Sequence, residues 1–349
     1  MDFLASRRSF IRASLSTCAA ISAPGIAGAQ SPDVVRIGNN GVVSDAVFYI
    51  AERRGYFAEQ RIKVEFVLFD AGPKMVVPLG TGQIDVGAGA SGAGLFNAVG
   101  RGIDIKVVAD KGSMPPGYQY VPLLVRKDLV DSGRYKSIAD LKGMKLAEAS
   151  EGGTPASFLA EALKPVGLKY EDVQHVYMSY PQQVAALANK AIDAALTAEP
   201  SATQAVEMGS AVRVSNDQIY PNQQVAVLLF SGDFARKRRD VAQRFMVAYV
   251  KAARYFNGAL ANGRFAGPNA EDLIRIMIEH TRVKDPALYR KMVPNGIDPD
   301  GRLNLDSMRK DLEFYRKQGY LEKPVELEMA VDTTFVESAL EILGPAAQR

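Results

Sequence analysis

The residues best suited to hold a ligand follow short apolar segments that the sequence pattern predicts to be strands. Their hydroxyl, amide, carboxylate and ammonium groups can together bind a small polar molecule through hydrogen bonds. In open α/β sheets ligands bind at the carboxyl ends of the strands, which is where these residues fall. The candidate ligand-binding residues are Asn39, Asn40, Ser44, Asp70, Ser91, Lys111, Ser113, Tyr118, Glu151, Thr154, Ser179, Tyr180 and Glu199.

These groups suit two opposite kinds of ligand. Helices are predicted to begin near Ser44 and Thr154, and helix N-termini bind oxyanions through their free N–H groups. We expect Ser44, Ser91 and Thr154 to hold an oxyanion, with Lys111 nearby and Glu199 accepting from a donor group. Ser44 and Thr154 are also suited to cap their helices, which is the commoner role of these residue types. A small organic acid, a sulfonate and a nitrogen heterocycle all stay open as ligands.

The segment Gly87–Gly92 resembles two catalytic motifs, and the rest of the chain argues against both. It fits G-x-G-x-x-G, which binds dinucleotides where a strand leads into a helix. However, the helix predicted here is short, and the matched segment 195–200 contains no glycine. The segment is also one residue short of the G-x-S-x-G turn of serine hydrolases, which require a histidine base.

Neither of the two histidines supplies such a base. His175 lies on a predicted strand, at the position that matches Phe66 in an internal repeat, so we predict a packed side chain. His280 makes no metal-ligand spacing with it. The single cysteine, Cys18, lies near the N-terminus in a segment that we expect to be removed. We therefore expect no metal, no cofactor and no catalysis.

An internal repeat predicts how the candidate residues are positioned. Residues 76–86 and 184–194 share Val, Leu, Ile and Asp at matched positions, and each reads as a helix end, a polar turn and a buried strand. Around them, strands alternate with helices from 34 to 109 and again from 144 to 215. A βα unit used twice predicts an α/β fold of two similar lobes, with mainly parallel sheets and a cleft between them.

The connections between the lobes are predicted from two apolar runs outside this alternation. We expect residues 121–129 and 225–234 to be crossover strands that act as hinges. From residue 235 the pattern is helical, with Phe245, Tyr249 and Phe256 spaced for one buried face. These helices are expected to complete the first lobe. The predicted lobes are residues 30–118 with 226–349, and residues 119–225.

The first 29 residues have the pattern of an export signal. Arg7 and Arg8 form a twin-arginine motif before an apolar run, and Ala27–Ala29 supplies an A-x-A cleavage site. The mature chain is then expected to begin at Gln30 and to reside in the periplasm. Leu15–Cys18 faintly resembles a lipoprotein box, but Thr17 before the cysteine and the short apolar run argue against lipid anchoring.

The charge balance excludes one class of partner. Without the signal's Arg7, Arg8, Arg12 and Asp2, 39 basic and 38 acidic residues are left, a net charge of +1. A chain so nearly neutral has no electrostatic attraction for nucleic acid. We expect the partner to be a small molecule and the protein to be a monomer.

The order of several short motifs resembles that of a known family. The motifs are Ala51–Phe57, Gly82–Asp85, Ile138–Gly143 and Ala191–Ala194, the last followed by Glu199-Pro200. Together they are similar to the extracytoplasmic solute-binding proteins of ABC importers, in the group related to nitrate, sulfonate and taurine receptors and to thiamine-precursor proteins. The resemblance covers the mature chain from about Val34 to Phe234.

The resemblance implies a periplasmic-binding-protein type II fold whose two lobes close over one small molecule. It also implies delivery of that molecule to a membrane permease with its ATPase, and no catalysis. Thiamine-pyrimidine synthases of the same superfamily are enzymes that depend on cysteine and histidine motifs. The predicted mature chain contains no cysteine, which sets that branch aside.

Two other functions are compatible with the same cleft. A periplasmic enzyme, hydrolytic or biosynthetic, is suggested by the serine segment near Ser91 and by twin-arginine export, a route often taken by proteins that fold before secretion. The missing catalytic histidine argues against it. A receptor that signals through a membrane partner cannot be separated from a transport protein by its sequence.

Overall fold

The structure is a computed structural model that describes residues 31–347, so the predicted signal peptide lies outside the described residues. The strands are β1 (Asp33–Asn39), β2 (Ile62–Leu68), β3 (Val86–Ala90), β4 (Ile105–Met114), β5 (Leu123–Arg126), β6 (Lys145–Glu148), β7 (Gln174–Tyr177), β8 (Ala194–Leu196), β9 (Ala211–Arg213), β10 (Gln223–Ser231), β11 (Leu260–Ala261) and β12 (Arg264–Phe265). The helices are α1 (Ala46–Arg53), α2 (Tyr56–Glu59), α3 (Val76–Gly80), α4 (Ala93–Gly100), α5 (Lys127–Asp131), α6 (Thr154–Leu163), α7 (Tyr180–Ala188), α8 (Ser201–Glu207), α9 (Gly232–Lys237), α10 (Arg239–Asn257), α11 (Ala270–His280), α12 (Pro286–Lys291), α13 (Leu305–Lys317), α14 (Leu327–Ala330) and α15 (Thr334–Leu343).

Two five-stranded sheets with the same strand order form the cores of the two lobes. The first runs β2-β1-β3-β10-β4 and the second β7-β6-β8-β5-β9. In each sheet four strands point one way, and only the inserted strand, β10 or β5, is antiparallel to its neighbours. The prediction of two α/β lobes with mainly parallel sheets is confirmed.

The repeated aspartate, Asp85 or Asp193, makes the same hydrogen bonds in both lobes. The Asp85 carboxylate accepts the backbone N–H of Arg36 at 2.8 Å, and the N–H of Asp85 donates to the Arg36 carbonyl at 3.0 Å. In the second lobe Asp193 exchanges the same two bonds with Lys145, at 3.0 and 2.8 Å. Asp85 thus ties the start of β3 to β1, and Asp193 ties the start of β8 to β6.

The same two aspartates also receive the inserted strand. The carbonyl of Asp85 accepts the N–H of Ser231, and the carbonyl of Asp193 accepts the N–H of Arg126, both at 2.9 Å. Ser231 and Arg126 are the last residues of β10 and β5. The duplication therefore extends to the backbone hydrogen bonds that hold the antiparallel strand in place.

The lobes are joined at residues 115–122 and 214–222, where the chain leaves one sheet and enters the other. We predicted that the runs 121–129 and 225–234 would themselves be the crossover strands. Their central parts instead lie inside the sheets as β5 and β10, and every residue of β10 is buried. These runs are continuously apolar because both faces of a central strand are covered.

The C-terminal helices contact both lobes. Helix α10 packs on α1, α2 and α15, and its predicted buried face, which includes Phe245 and Tyr249, is fully buried. Helix α13 lies against α6 of the second lobe, where the Ser157 hydroxyl donates to Asp311 at 2.6 Å. Helix α12 contacts α8. The C-terminal region therefore packs on the first lobe, as expected, and also reaches the second.

Candidate functional site

A cavity of about 100 Å³ lies between the two sheets, at the carboxyl ends of their strands, where the closed lobes meet. Its walls are mainly apolar and glycine-rich, with polar groups from both lobes. Such a lining, apolar with a few converging polar groups, is typical of small-molecule sites. The polar residues on the lining are Asn40, Ser44, Lys111, Tyr120, Ser150, Glu151, Thr154 and Tyr180.

The lobes are in a closed arrangement, because hydrogen bonds join them directly beside the cavity. The N–H of Ala93, the first residue of α4, donates to the Gly152 carbonyl of the second lobe at 2.9 Å. The Thr154 hydroxyl donates to the Val225 carbonyl of the first lobe at 3.2 Å. The cavity is therefore the space left after closure, and opening the lobes breaks these bonds.

Helices α4 and α6 begin at the cavity wall, one from each lobe. Their N-cap residues, Gly92 and Gly153, lie on the lining together with Gly94 and Thr154. The first N–H groups of a helix have no partner within that helix and carry partial positive charge. The N–H of Ala93 is already bonded to Gly152, and Pro155 has no N–H, so the donors left at the two ends are the N–H groups of Gly94 and Thr154. Two such ends facing one small space form a site for a small oxyanion.

The glycines of Gly87–Gly92 are explained by close packing. A Cβ atom on Gly92 would lie 2.9 Å from the carbonyl oxygen of Gly152 across the cleft, and one on Gly89 would lie 2.4 Å from Leu229. Real Cβ atoms do not approach other atoms so closely. The motif therefore serves close packing in the first sheet and close approach of the lobes.

The floor of the cavity carries a buried ion pair. Lys111 is 1% exposed, and its Nζ lies 2.9 Å from Oδ1 of Asp45, which is fully buried. The same ammonium donates to the Ser44 hydroxyl at 2.7 Å. Among the described residues Lys111 is the only lysine or arginine on the lining, and its charge is matched by Asp45. The cavity thus offers dipoles and hydroxyls without a surplus cation.

Asp45 also fixes the loop that leaves β1. Its Oδ2 accepts the backbone N–H groups of Asn40, Gly41 and Val42, at 3.1, 2.7 and 3.2 Å. The three N–H donors all bind Oδ2, while Oδ1 accepts no hydrogen bond from the described residues and is compensated by the charge of the Lys111 ammonium at 2.9 Å. Together they offset the cost of desolvating a buried carboxylate. The loop carrying Asn40 and Val42 is consequently held rigidly at the cavity wall.

Two residues that we expected to face each other across the cleft are engaged elsewhere. The Ser91 hydroxyl is buried and donates to the Gln224 carbonyl at 3.4 Å. The Glu199 carboxylate, fully buried, accepts from the N–H and hydroxyl of Thr203 at 2.9 and 2.8 Å, and pairs with Arg213. Neither side chain lies on the cavity lining. Their predicted pairing around a ligand is wrong, because other protein groups, several of them distant in sequence, already satisfy both side chains.

The predicted capping roles of two hydroxyls are also wrong. Ser44 lies inside a 3-10 turn (Val43–Asp45) and accepts from Lys111, while Thr154 is the first helical residue after the N-cap Gly153. Both hydroxyls lie on the cavity lining and hold neighbouring residues in position.

The remaining candidates lie outside the closed cavity. Asn39, Asp70 and Ser179 line a second cavity of about 510 Å³ on the cleft side, where Asp70 is exposed and paired with Lys74. Ser113 and Tyr118 line a third cavity of about 520 Å³ beside the first crossing between the lobes. Asn40, Ser44, Lys111, Glu151, Thr154 and Tyr180 are the candidates that the closed cavity brings together.

His175 is a packed side chain, as predicted. Its ring stacks on Tyr170 with centroids 3.9 Å apart, and Nδ1 lies 2.9 Å from Oε1 of the buried Glu148. Partial burial lowers the pKa of His175, but the bonds to Glu148 and to the Tyr170 carbonyl outweigh it, so the pKa is raised. The histidine therefore stabilises the second lobe and does not face the cavity.

One segment that shapes the cleft escaped prediction. Residues 280–283, the last residue of α11 and the three that follow it, line the second cavity. They follow a C-terminal helix and no strand, so they could not be predicted from the rule that ligands bind at the carboxyl ends of strands. The two-fold pattern of the chain offers no signal for them either, because the repeat ends before residue 235.

Two α/β lobes that close over a small cavity lined by helix N-termini define the class of two-lobed solute-binding proteins. The chain belongs to the NMT1-like family, whose model matches residues 28–266. An aliphatic sulfonates-binding protein of Escherichia coli (strain K12) is 29% identical over 249 residues, 70% of this chain and 74% of that protein.

Solved structures show the same fold at lower identity. The alkanesulfonate-binding protein from Xanthomonas axonopodis pv. citri, bound to MOPS, has a TM-score of 0.70 at 23% identity and covers 87% of this chain and 100% of its own. The periplasmic nitrate-binding protein from Synechocystis PCC 6803 has a TM-score of 0.74 at 14% identity, covering 90% and 89%. These likenesses show that the two-lobed fold is shared.

Proposed function

We propose that this protein is the extracytoplasmic solute-binding component of an ABC importer, which captures a small oxyanion by closing its two lobes. The observation that carries the proposal is the closed cavity onto which helix α4 of one lobe and α6 of the other both direct their N-termini. A ligand held between two such ends stabilises the closed state, since each lobe alone supplies only half of the donors.

The ligand is a singly charged oxyanion, with an organic sulfonate as the first choice. The only basic side chain on the described lining, Lys111, is already neutralised by Asp45, and the lining also carries the Glu151 carboxylate. Each negative charge on the ligand is then held by dipoles alone, which makes a dianion more costly to bury than a monoanion. The family relatives that bind sulfonates support the same choice. The cavity of about 100 Å³ is smaller than the roughly 150 Å³ apolar cavity that binds benzene in an engineered protein, so the enclosed group is small.

The binding residues that we assign are Asn40, Ser44 and Tyr180, with the N–H groups of Gly94 and Thr154 at the N-termini of α4 and α6. The Thr154 hydroxyl itself is already donated to the Val225 carbonyl. Lobe movement is assigned to the crossings at 115–122 and 214–222. The lobes are residues 30–118 with 223–349 and residues 119–222, with the predicted bound at 225 moved because β10 of the first sheet begins at Gln223. Hinges at two parallel crossings allow the lobes to rotate as rigid bodies.

Titration calorimetry of the exported protein tests this function. Methanesulfonate should bind, and sulfate, which is similar in size but doubly charged, should bind at least tenfold more weakly. Native mass spectrometry of the freshly purified protein should reveal a small co-purified anion. Failure to bind methanesulfonate, acetate and nitrate alike would refute an oxyanion site.

An enzyme in the same cleft lacks its catalytic groups. The Ser91 hydroxyl donates to a backbone carbonyl, while His175 and His280 bond to Glu148 and Glu52. A serine nucleophile needs a histidine within hydrogen-bond reach, and none of the described contacts supplies one. Turnover of an ester by the purified protein would reverse this assignment.

We further propose twin-arginine export to the periplasm and delivery of the ligand, by a monomer without a lipid anchor, to a permease and its ATPase. No helix within residues 31–347 is long and apolar enough to span a membrane. Replacing Arg7 and Arg8 by lysine should retain the protein in the cytoplasm, measured by cell fractionation. Unchanged export would contradict the signal assignment.

A further inference from the structure

The closed cavity adjoins a larger one, and the two share a wall. Asn40, Val42 and Tyr180 line both the inner cavity of about 100 Å³ and an outer cavity of about 510 Å³. The outer cavity is bounded by both lobes and by the segment after α11. A ligand whose head lies in the inner cavity therefore has a second, roomier space directly beside it.

Aromatic side chains held in fixed positions form one side of the outer cavity. The rings of Tyr49 and His280 are stacked with centroids 4.8 Å apart, and Phe66 meets Tyr49 edge to face at 5.3 Å. His280 is held at both nitrogens, by the Ile276 carbonyl at 2.9 Å and by Glu52 at 3.1 Å. Rigid aromatic surfaces favour planar rings, which pack on them with little loss of side-chain entropy.

The shared wall carries a hydrogen-bond acceptor without a donor. Oδ1 of Asn40 is inaccessible to solvent and has no hydrogen-bond partner among the described residues. The backbone N–H of Asn40 is held by Asp45, so the side chain projects from a fixed loop. A buried carbonyl oxygen left unsatisfied is costly, and a ligand N–H or O–H that meets this oxygen once the amide turns toward the cavity removes that cost.

We propose that the ligand has two parts: a small oxyanionic head in the inner cavity and a planar ring in the outer cavity, linked by a group that donates a hydrogen bond to Asn40. This inference rests on the proposed function, because the head occupies the site described above. The chemical class is an aryl or heteroaryl amide or amine that bears a sulfonate or carboxylate.

Four sulfonate probes separate the three parts of this proposal. Ethanesulfonate carries the head alone, and N-acetyltaurine adds the N–H without a ring. N-benzoyltaurine has head, N–H and ring, while N-benzoyl-N-methyltaurine keeps the ring and loses the donor. By calorimetry we expect N-benzoyltaurine to bind at least tenfold more tightly than ethanesulfonate, and its N-methyl analogue about three- to tenfold more weakly than N-benzoyltaurine.

Two variants locate these effects in the protein. In Asn40→Ala the N-benzoyl probes with and without the N–H should bind with equal affinity, because the acceptor for that N–H is gone. Gln204 lies exposed on the outer lining and away from the inner one, so Gln204→Trp should obstruct the ring. It should weaken N-benzoyltaurine at least tenfold and leave ethanesulfonate unaffected, with Gln204→Ala as the matched control that keeps the space open.

The outcomes distinguish this inference from the proposed function. Equal affinity for ethanesulfonate and both N-benzoyl probes would overturn the two-part ligand and leave the oxyanion site standing. An N-methyl penalty that persists in Asn40→Ala would overturn the role of Asn40. Absence of binding by all four probes, together with methanesulfonate and acetate, would overturn the proposed function and the inference with it.

Discussion

The buried ion pair beneath the cavity gives a direct test of how the cleft is held. Lys111→Met keeps the length of the side chain and removes its ammonium group. Because Lys111 and Asp45 are 1% and 0% exposed, and their charged atoms lie 2.9 Å apart, solvent cannot replace the lost partner. Breaking a buried pair on one side typically lowers the free energy of unfolding by about 3–5 kcal/mol.

The two halves of the pair should differ in cost. After Lys111→Met the Asp45 carboxylate still accepts three backbone N–H groups, so we expect a loss near ~3 kcal/mol. Asp45→Asn leaves a buried ammonium and disturbs those N–H bonds, so its loss should be nearer ~5 kcal/mol. In the double variant no charge is left unpaired, and its loss should fall short of the sum by about 2 kcal/mol or more.

Urea unfolding measures these differences. The chain has 14 tyrosines and no tryptophan, so tyrosine emission and far-ultraviolet circular dichroism are the signals. Lys63→Met, at an exposed position on β2, is the control and should change the free energy of unfolding by less than about 0.5 kcal/mol. A loss below about 1 kcal/mol for Lys111→Met, or strict additivity in the double variant, would refute the reasoning.

Three further predictions concern closure, pH and the second lobe. With saturating methanesulfonate, small-angle scattering should show that Gly92→Ala stays more open than the wild type, because the added Cβ meets a carbonyl oxygen across the cleft. Gly94→Ala is the control and should close normally, because an added Cβ there has nothing within 4 Å. Because the pKa of His175 is raised, its stabilising effect is complete below about pH 6.5 and is lost as the pH rises through the folded-state pKa. His175→Gln should weaken this dependence of the urea unfolding midpoint on pH. An unchanged dependence on pH in the variant would contradict the prediction. Glu199→Gln should lower the free energy of unfolding by about 2 kcal/mol without changing anion affinity, so a tenfold affinity loss at unchanged stability would restore Glu199 as a ligand contact.

The architecture was predictable because the sequence contains an internal repeat. Matched residues around Asp85 and Asp193 predicted two equivalent lobes, and the structure gives both aspartates the same hydrogen bonds. Helix α6 begins at Thr154, where a helix was predicted to begin. The position of an inserted strand was not predictable, since an apolar run indicates burial without indicating which sheet buries it.

The candidate site was predictable in location more than in detail. Residues at strand ends such as Asn40 and Lys111 reach the cavity because parallel strands end at one edge of each sheet. Whether a side chain faces the ligand depends on partners that are distant in sequence. Glu199 bonds to the N–H of Val293 and to Arg213, and Ser91 to the Gln224 carbonyl, and no local pattern reveals such pairings.

The inserted strand β10 determines which of the two sheets can be completed first during synthesis of the chain. All five strands of the second sheet lie between residues 123 and 213, so that sheet can form as soon as this stretch has been made. The first sheet has a gap between β3 and β4 that only β10, residues 223–231, can fill. The lobe that begins at the N-terminus is therefore the last whose sheet can be completed, after most of the chain has left the ribosome.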